Sequence, residues 1–146
     1  MNETEIRTIV EQWVAASNDK DMNAFRQLYA DDVVLYQAPV KKSLTGIEHV
    51  IARLEALSEM SPDSRMTVRG LHIDGDTAIL EFNFVATQTG RFFDYEPTGK
   101  MIDVDSCLVF KVENGKIARH TTYLDTASIL RALGFIEVKG TRAEAA

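Results

Sequence analysis

Hydrophobic positions recur with two different periods along this chain, and the change of period separates a helical first part from a strand-rich second part. Over residues 6–14 the apolar side chains fall at i, i+3, i+4, i+7 and i+8, which predicts one face of an amphipathic helix. The same spacing recurs over residues 22–29 and 47–60. Thr45 and Glu48 have capping-box spacing, which predicts the start of the third helix.

After the third helix, apolar and polar residues mostly alternate, which is typical of half-buried strands. Alternating segments at 66–73 and 77–87 flank an Asp-Gly-Asp turn and predict one hairpin, with Gly70 as a bulge. A second and longer hairpin is predicted around Asn114 and Gly115, because Asn-Gly between two alternating runs is the strongest short hairpin signal.

Helices followed by long antiparallel strands predict an α+β fold, in which the helices cover one face of a curved sheet. A strand over 33–37 and a short helix capped by Asp125 complete the predicted elements. The space between such a sheet and its helices is the expected ligand pocket. We expect one domain over residues 1–136 and a loose tail over residues 137–146.

Composition narrows the possible functions. A net charge of −6 with interspersed signs disfavours binding to nucleic acid or to an anionic membrane. The single cysteine, Cys107, cannot form an internal disulfide, and no Cys/His cluster has metal spacing, so no metal is expected. The sequence carries neither a signal-peptide pattern nor an 18-residue apolar run, which predicts a cytoplasmic protein.

Several motifs in order resemble one known family. LYADDVVLYQAP, then LTGIEHV, PTGK, VENGKIARHTTYLD and LRALG resemble the SnoaL-like polyketide cyclases of the nuclear-transport-factor-2-like superfamily. The resemblance extends from the first helix to Gly134. It implies a cone-shaped α+β barrel, with N-terminal helices packed on a curved, mostly antiparallel sheet that encloses a pocket. Ketosteroid isomerase, limonene-epoxide hydrolase, scytalone dehydratase and non-catalytic binding domains share this fold, so the fold implies no single reaction.

The resemblance also implies where catalytic groups would fall, and this chain carries no carboxylate at those positions. Alignment through LYADD places the general-base Asp of ketosteroid isomerase on Gln37, its oxyanion Tyr on Trp13 and a supporting Tyr on Tyr29. Its oxyanion Asp and the partner His of SnoaL-type cyclases fall near Leu108. The catalytic Asp of those cyclases and an Asp of the epoxide hydrolase fall on or near Thr122.

One imidazole falls on the predicted pocket face. Strand parity places His120 on the same side as Thr122 and Leu124, and a histidine is the group best suited to act as a base near pH 7. Gln37 and Thr122 would orient a ligand through hydrogen bonds. The alternatives stay open: a packed or surface strand residue for His120, a surface strand end for Gln37 and an ordinary strand residue for Thr122.

The expected pocket wall is aromatic and apolar. The resemblance places an Arg and an Asp of the epoxide hydrolase near Phe82 and Phe84, so that rings replace charges there. The predicted wall residues are Trp13, Tyr29, Phe82, Phe84, Ser106, Leu108 and Leu124. An aromatic connection, Phe92, Phe93 and Tyr95, is a candidate lid or subunit contact.

Two hypotheses follow. The first is a cofactor-independent enzyme of the cyclase, isomerase or hydrolase type, which acts on a small hydrophobic oxygenated molecule. The second is a non-catalytic binding or interaction module of the same fold. In either case we expect a homodimer, because Ile79, Val85 and Val109 would leave the outer face of the sheet partly apolar.

Overall fold

The computed structural model describes residues 2–139, in which four helices and six strands follow one another. The helices are α1 (Glu3–Asp19), α2 (Met22–Leu28), α3 (Ile47–Met60) and α4 (Thr126–Ala132). The strands are β1 (Tyr29–Gln37), β2 (Lys42–Thr45), β3 (Arg65–Asp74), β4 (Thr77–Thr87), β5 (Met101–Glu113) and β6 (Lys116–Tyr123). A single 3-10 turn, Ala38–Val40, connects β1 to β2.

The six strands form one open sheet in the order β2-β1-β6-β5-β4-β3. β1 pairs with β6 in parallel, and the other four pairings are antiparallel. The predicted α+β class and the mostly antiparallel sheet are confirmed. The sheet does not close into a complete barrel, because β2 and β3 are its two free edges.

Local sequence signals placed most of the turns and caps. The side chains of Asp21 and Asp125 accept backbone N–H bonds at the starts of α2 and α4, as predicted. Asn114 and Gly115 both have positive φ, 51° and 78°, which is the geometry of a two-residue hairpin turn. The register of β3 against β4 shifts before Gly70, so the predicted bulge is confirmed.

Two element boundaries differ from the predictions. The capping box is wrong: Gly46 caps α3 without a side-chain hydrogen bond, and Thr45 belongs to β2, where it pairs with Val34. β1 begins at Tyr29 rather than at residue 33, so Tyr29 belongs to the sheet and not to the second helix. Both changes result from long-range pairing of β1, which overrides the local preference.

The helices pack against one face of the sheet, and this face carries the core. In β5 the residues Ile102, Val104, Ser106, Leu108, Phe110 and Val112 are buried, while most of the residues between them are exposed. Within residues 2–139, no helix is long and apolar enough to cross a membrane. The single domain stays a prediction, and most of the predicted tail lies outside the described residues.

Candidate active site

A cavity lies between the helices and the concave face of the sheet. The space open to the centres of water-sized molecules is about 80 Å³, several times what one buried water needs. The helical side of the wall consists of Trp13, Ser17, Phe25, Val50, Arg53, Leu54, Leu57, Ser58, Met60 and Ile129. The sheet and loop side consists of Leu35, Ser64, Met66, Phe82, Phe84, Phe92, Leu108, His120, Thr122 and Leu124. The wall is therefore mainly apolar, with a few polar groups among its residues.

Three buried aromatic side chains form a hydrogen-bonded chain that ends at this cavity. Trp13 from α1 donates its Nε1–H to the hydroxyl oxygen of Tyr29, at 2.7 Å. The Tyr29 hydroxyl lies 2.7 Å from Nδ1 of His120, the histidine in β6. The Tyr29 and His120 ring planes are nearly parallel, at 7°, with their centroids 5.9 Å apart.

The direction of this chain fixes the tautomer of His120. An indole N–H can only donate, so the Tyr29 oxygen accepts from Trp13. The single hydroxyl proton of Tyr29 then has one available acceptor, which is Nδ1 of His120. A neutral imidazole carries one N–H proton, and since Nδ1 accepts from Tyr29, this proton must lie on Nε2. Nε2 has no hydrogen-bond partner among residues 2–139, and His120 lines the cavity, so this N–H is available to a ligand.

Burial keeps His120 and Tyr29, the two titratable members of the hydrogen-bonded chain, uncharged. Burial first, and then the positive charge of Arg53, lower the pKa of His120 from 6.5 to about 3. Burial raises the pKa of Tyr29 above its ordinary value, although its hydrogen bond with Trp13 acts in the opposite direction. At neutral pH the cavity therefore meets a neutral imidazole that donates from Nε2.

The structure brings most of the residues proposed from the sequence to the cavity wall. His120, Thr122 and Leu124 all line it, on the face that strand parity assigned to them. The other proposed residues in the wall are Trp13, Phe82, Phe84 and Leu108. Phe92, from the aromatic connection, is also part of the wall.

Three proposed residues lie outside the wall. Gln37 is half-buried at the end of β1, where the chain turns into the 3-10 turn, and it pairs with Lys42 and Thr122. Ser106 lies on the helix-facing side of β5, but its hydroxyl accepts the backbone N–H of Asp125 at the start of α4. Tyr29 is 2% exposed and acts behind His120 rather than as part of the wall. The structure therefore places Gln37 and Ser106 outside the wall of this cavity, and their role as ligand contacts stays a prediction.

Sequence reasoning missed Arg53, a charged residue of the wall. Its position carries a signal, because it lies three residues after Val50 and four before Leu57, within the apolar stripe of α3. A charged residue inside such a stripe must face the protein interior or the rim of a cavity. No comparable pattern in the sequence indicates that Ser17, Ser58 and Ser64 belong to the cavity wall.

Within the described part of the chain, the cavity wall contains no Asp or Glu. In the same residues, no three His, Cys, Asp or Glu side chains lie close enough together to hold a metal ion. The polar chemistry that the wall offers is therefore hydrogen bonding by imidazole, guanidinium and hydroxyl groups, of which the hydroxyls can also accept.

Comparison with known proteins places this geometry in a family. The sequence model of the SnoaL-like polyketide cyclases matches residues 7–133. The chain is a member of the SnoaL-like polyketide cyclase family. Family and fold are therefore of the small-molecule enzyme type. Comparison of this SnoaL-like chain with curated proteins returns no match.

Solved structures share the fold of this SnoaL-like chain at low sequence identity. AclR from Streptomyces galilaeus is 21% identical, with a TM-score of 0.83 over 94% of this chain and 89% of its own. TsrD from Streptomyces laurentii is 22% identical, with a TM-score of 0.83 over 93% of this chain and 99% of its own. A protein with a ketosteroid isomerase-like fold from Catenulispora acidiphila is 20% identical, with a TM-score of 0.74 over 88% of this chain and 93% of its own.

Proposed function

We propose that this SnoaL-like domain binds a small hydrophobic oxygenated molecule in its cavity and activates it by cofactor-independent acid–base chemistry. The reaction would be of the cyclase, isomerase or hydrolase type. In this proposal, Nε2–H of His120 donates a hydrogen bond to a carbonyl oxygen of the ligand. The observation that supports it is the buried chain from Trp13 through Tyr29 to His120, which leaves one N–H directed at an apolar space.

A neutral imidazole is well suited to polarise a carbonyl group. When a proton leaves the carbon beside a carbonyl, negative charge develops on its oxygen, and a donor already aimed at that oxygen stabilises the transition state. The stabilisation is larger in an apolar wall such as that of Phe82 and Leu108 than in water, because the effective dielectric constant is lower. Thr122 supplies a second hydroxyl group in the same wall.

This proposal changes the role expected for His120 from a base to a hydrogen-bond donor. A base needs a free lone pair, and in the neutral state Nδ1 accepts from Tyr29 while Nε2 carries the proton. The low pKa of His120 also weakens it as a proton acceptor. The proton on the substrate's carbon would then pass to water or to a group of the substrate itself.

Two substitutions of His120 separate a donor from a base. His120→Gln places an amide N–H near the position of Nε2, whereas His120→Asn keeps a polar atom near Nδ1 but removes the donor from the cavity. Neither amide can act as a base near neutral pH. If His120 is a donor, the Gln variant keeps part of the binding and turnover that the Asn variant loses. Equal loss of turnover in both variants would contradict the donor role.

The ligand must first be found by screening. Terpenoids, steroids and aromatic polyketides are screened by thermal shift, and each hit is incubated with the protein and analysed for product. We expect ketone-bearing hits to raise the melting temperature of the wild type and of His120→Gln more than that of His120→Asn. Absence of any hit that depends on the cavity would contradict the proposal.

A non-catalytic binding module is the second candidate, and the lack of Asp and Glu in the described cavity wall favours it. Such a module needs the same donor and the same apolar wall but no proton acceptor. The product analysis decides between the two. Stabilisation without conversion of any hit supports the module, and turnover supports the enzyme.

We also propose that the domain is a cytoplasmic homodimer. Ile79, Val68 and Tyr123 are exposed residues of the strands and leave apolar area on the sheet. Light scattering at micromolar concentration should give twice the chain mass of 16.3 kDa. A mass of one chain would contradict this part of the proposal.

A further inference from the structure

Arg53 is a cation placed on the cavity side of α3. The neighbouring positions on that side, Val50, Leu54 and Leu57, are all part of the same wall. Arg53 is half-buried, and burial lowers the pKa of its guanidinium from the ordinary value. A guanidinium nevertheless stays charged in proteins, so a positive charge is held at the edge of an apolar space.

This charge has no anionic partner in the described part of the chain. Over residues 2–139, no ion pair or hydrogen bond involves the Arg53 guanidinium, and no Asp or Glu belongs to the cavity wall. By contrast, Arg26 of α2 makes a two-pronged contact with Glu48 in the first turn of α3, at 2.6 and 3.0 Å. Even a partly desolvated cation is costly without a counter-charge, so its presence in the wall points to a ligand that supplies one.

The contact that positions Arg53 comes from the aromatic connection between β4 and β5. The guanidinium carbon lies 5.2 Å from the centroid of the Phe93 ring, within the range of a cation–π interaction. A ring face attracts the charge but offers no oxygen to the five N–H donors. Phe93 has a φ of 50°, a conformation that costs energy for a bulky residue and that is concentrated near functional sites.

We propose that Arg53 receives a carboxylate group of the cavity's ligand, so that the natural ligand is an apolar organic acid. A carboxylate matches the forked geometry of a guanidinium and can accept two N–H bonds from it at once. The apolar body of the ligand then lies along the wall formed by residues such as Phe82 and Leu108. This inference rests on the proposed ligand-binding function of the cavity and adds the charge of the ligand to it.

Matched acids and esters test the charge without changing the shape of the apolar body. The probes are 2-naphthoic acid with methyl 2-naphthoate, and decanoic acid with methyl decanoate, each measured at pH 7. Binding is followed through Trp13 fluorescence, because Trp13 is the single tryptophan of the chain and lines the cavity. For the wild type we expect the better acid to bind at least 10-fold more tightly than its ester, a difference of about 1.4 kcal/mol.

Variants of Arg53 assign that preference to the guanidinium. Arg53→Met keeps a long side chain and removes the charge, so the acid-to-ester ratio should fall to within about twofold. Arg53→Lys keeps the charge but loses the fork, and should give an intermediate ratio. The matched control is Arg7→Met on the exposed side of α1, which changes the net charge equally and should keep the full ratio.

The outcomes separate this inference from the proposed function. If acids and esters bind equally, or if the preference survives in Arg53→Met, the role of Arg53 is wrong and the cavity remains a ligand site. If neither member of either pair binds the wild type up to millimolar concentration, an apolar acid is not the ligand, and the carbonyl screen on the His120 variants tests the cavity by itself. Unfolding curves of each variant confirm that the comparison is made on folded protein.

Discussion

Removing the Tyr29 hydroxyl should destabilise the protein by far more than the loss of one atom implies. In Tyr29→Phe the ring keeps its packing, but Trp13 Nε1–H and His120 Nδ1 each lose the partner that lies at 2.7 Å. Both stranded groups are buried, since Trp13 is 3% and His120 4% exposed. The variant therefore loses two hydrogen bonds and leaves one donor and one acceptor unsatisfied.

The expected loss follows from the cost of burying an unpaired polar group. Each such group costs about 1–3 kcal/mol, so the two together should lower the free energy of unfolding by about 2–6 kcal/mol. For a chain of this size that corresponds to a decrease of roughly 4–24 °C in Tm. The control, Tyr123→Phe, removes a hydroxyl from a side chain that is 52% exposed, and should change stability by less than about 0.5 kcal/mol.

Urea unfolding followed by circular dichroism measures both variants under the same conditions. A double-mutant cycle with Trp13→Phe adds a second check, because that substitution removes the donor that Tyr29→Phe leaves unpaired. The two losses should then be less than additive, by about 1 kcal/mol. A loss for Tyr29→Phe no larger than that for Tyr123→Phe would refute the buried hydrogen-bonded chain.

Three further predictions concern pH and packing. Burial lowers the pKa of His120 to about 3. Between pH 6.5 and pH 3 this imidazole is therefore protonated in the unfolded chain but neutral in the folded protein. Stability from this group is present above pH 6.5 and falls as the pH decreases towards 3, by up to about 1.4 kcal/mol per unit. His120→Gln should remove that slope in urea titrations, whereas the exposed control His72→Gln should keep it. Ser61 Oγ is fully buried without a partner among the described residues, so Ser61→Ala should leave the urea midpoint unchanged or raise stability by about 1 kcal/mol; a clear decrease would contradict this. A Cβ on Gly90 would lie 2.5 Å from the carbonyl oxygen of Glu59, so Gly90→Ala should lower stability by about 1–3 kcal/mol, and a wild-type melting curve would contradict the contact.

Local signals in the sequence predicted the fold well because they act over a few residues. Asp21 and Asp125 cap their helices, and Asn114-Gly115 turns the long hairpin, through contacts within three or four residues. The edge strand Lys42–Thr45 was not predicted, because three of its four residues are exposed and it has no clear alternation. Its existence depends on pairing with β1, which no local pattern specifies.

Residues of the site could be predicted only where the regular alternation of side chains along a strand or helix tells which face each side chain is on. Strand parity placed His120 and Thr122 on the cavity side, but parity gives the face of a strand and not the position along it, so Gln37 falls beyond the wall. The partners of His120 could not be derived from spacing, since Tyr29 lies 91 residues away in sequence. Arg53 could have been found, because it interrupts the apolar stripe of α3.

The ring nitrogens of His120 provide the most direct test of this account, and two-bond proton–nitrogen NMR on uniformly 15N-labelled protein measures them. We predict a neutral ring protonated on Nε2, with Nδ1 showing the shift of an unprotonated acceptor, and no change of state between pH 7 and pH 5. A proton on Nδ1, or a titration centred near pH 6.5, would contradict the proposed donor.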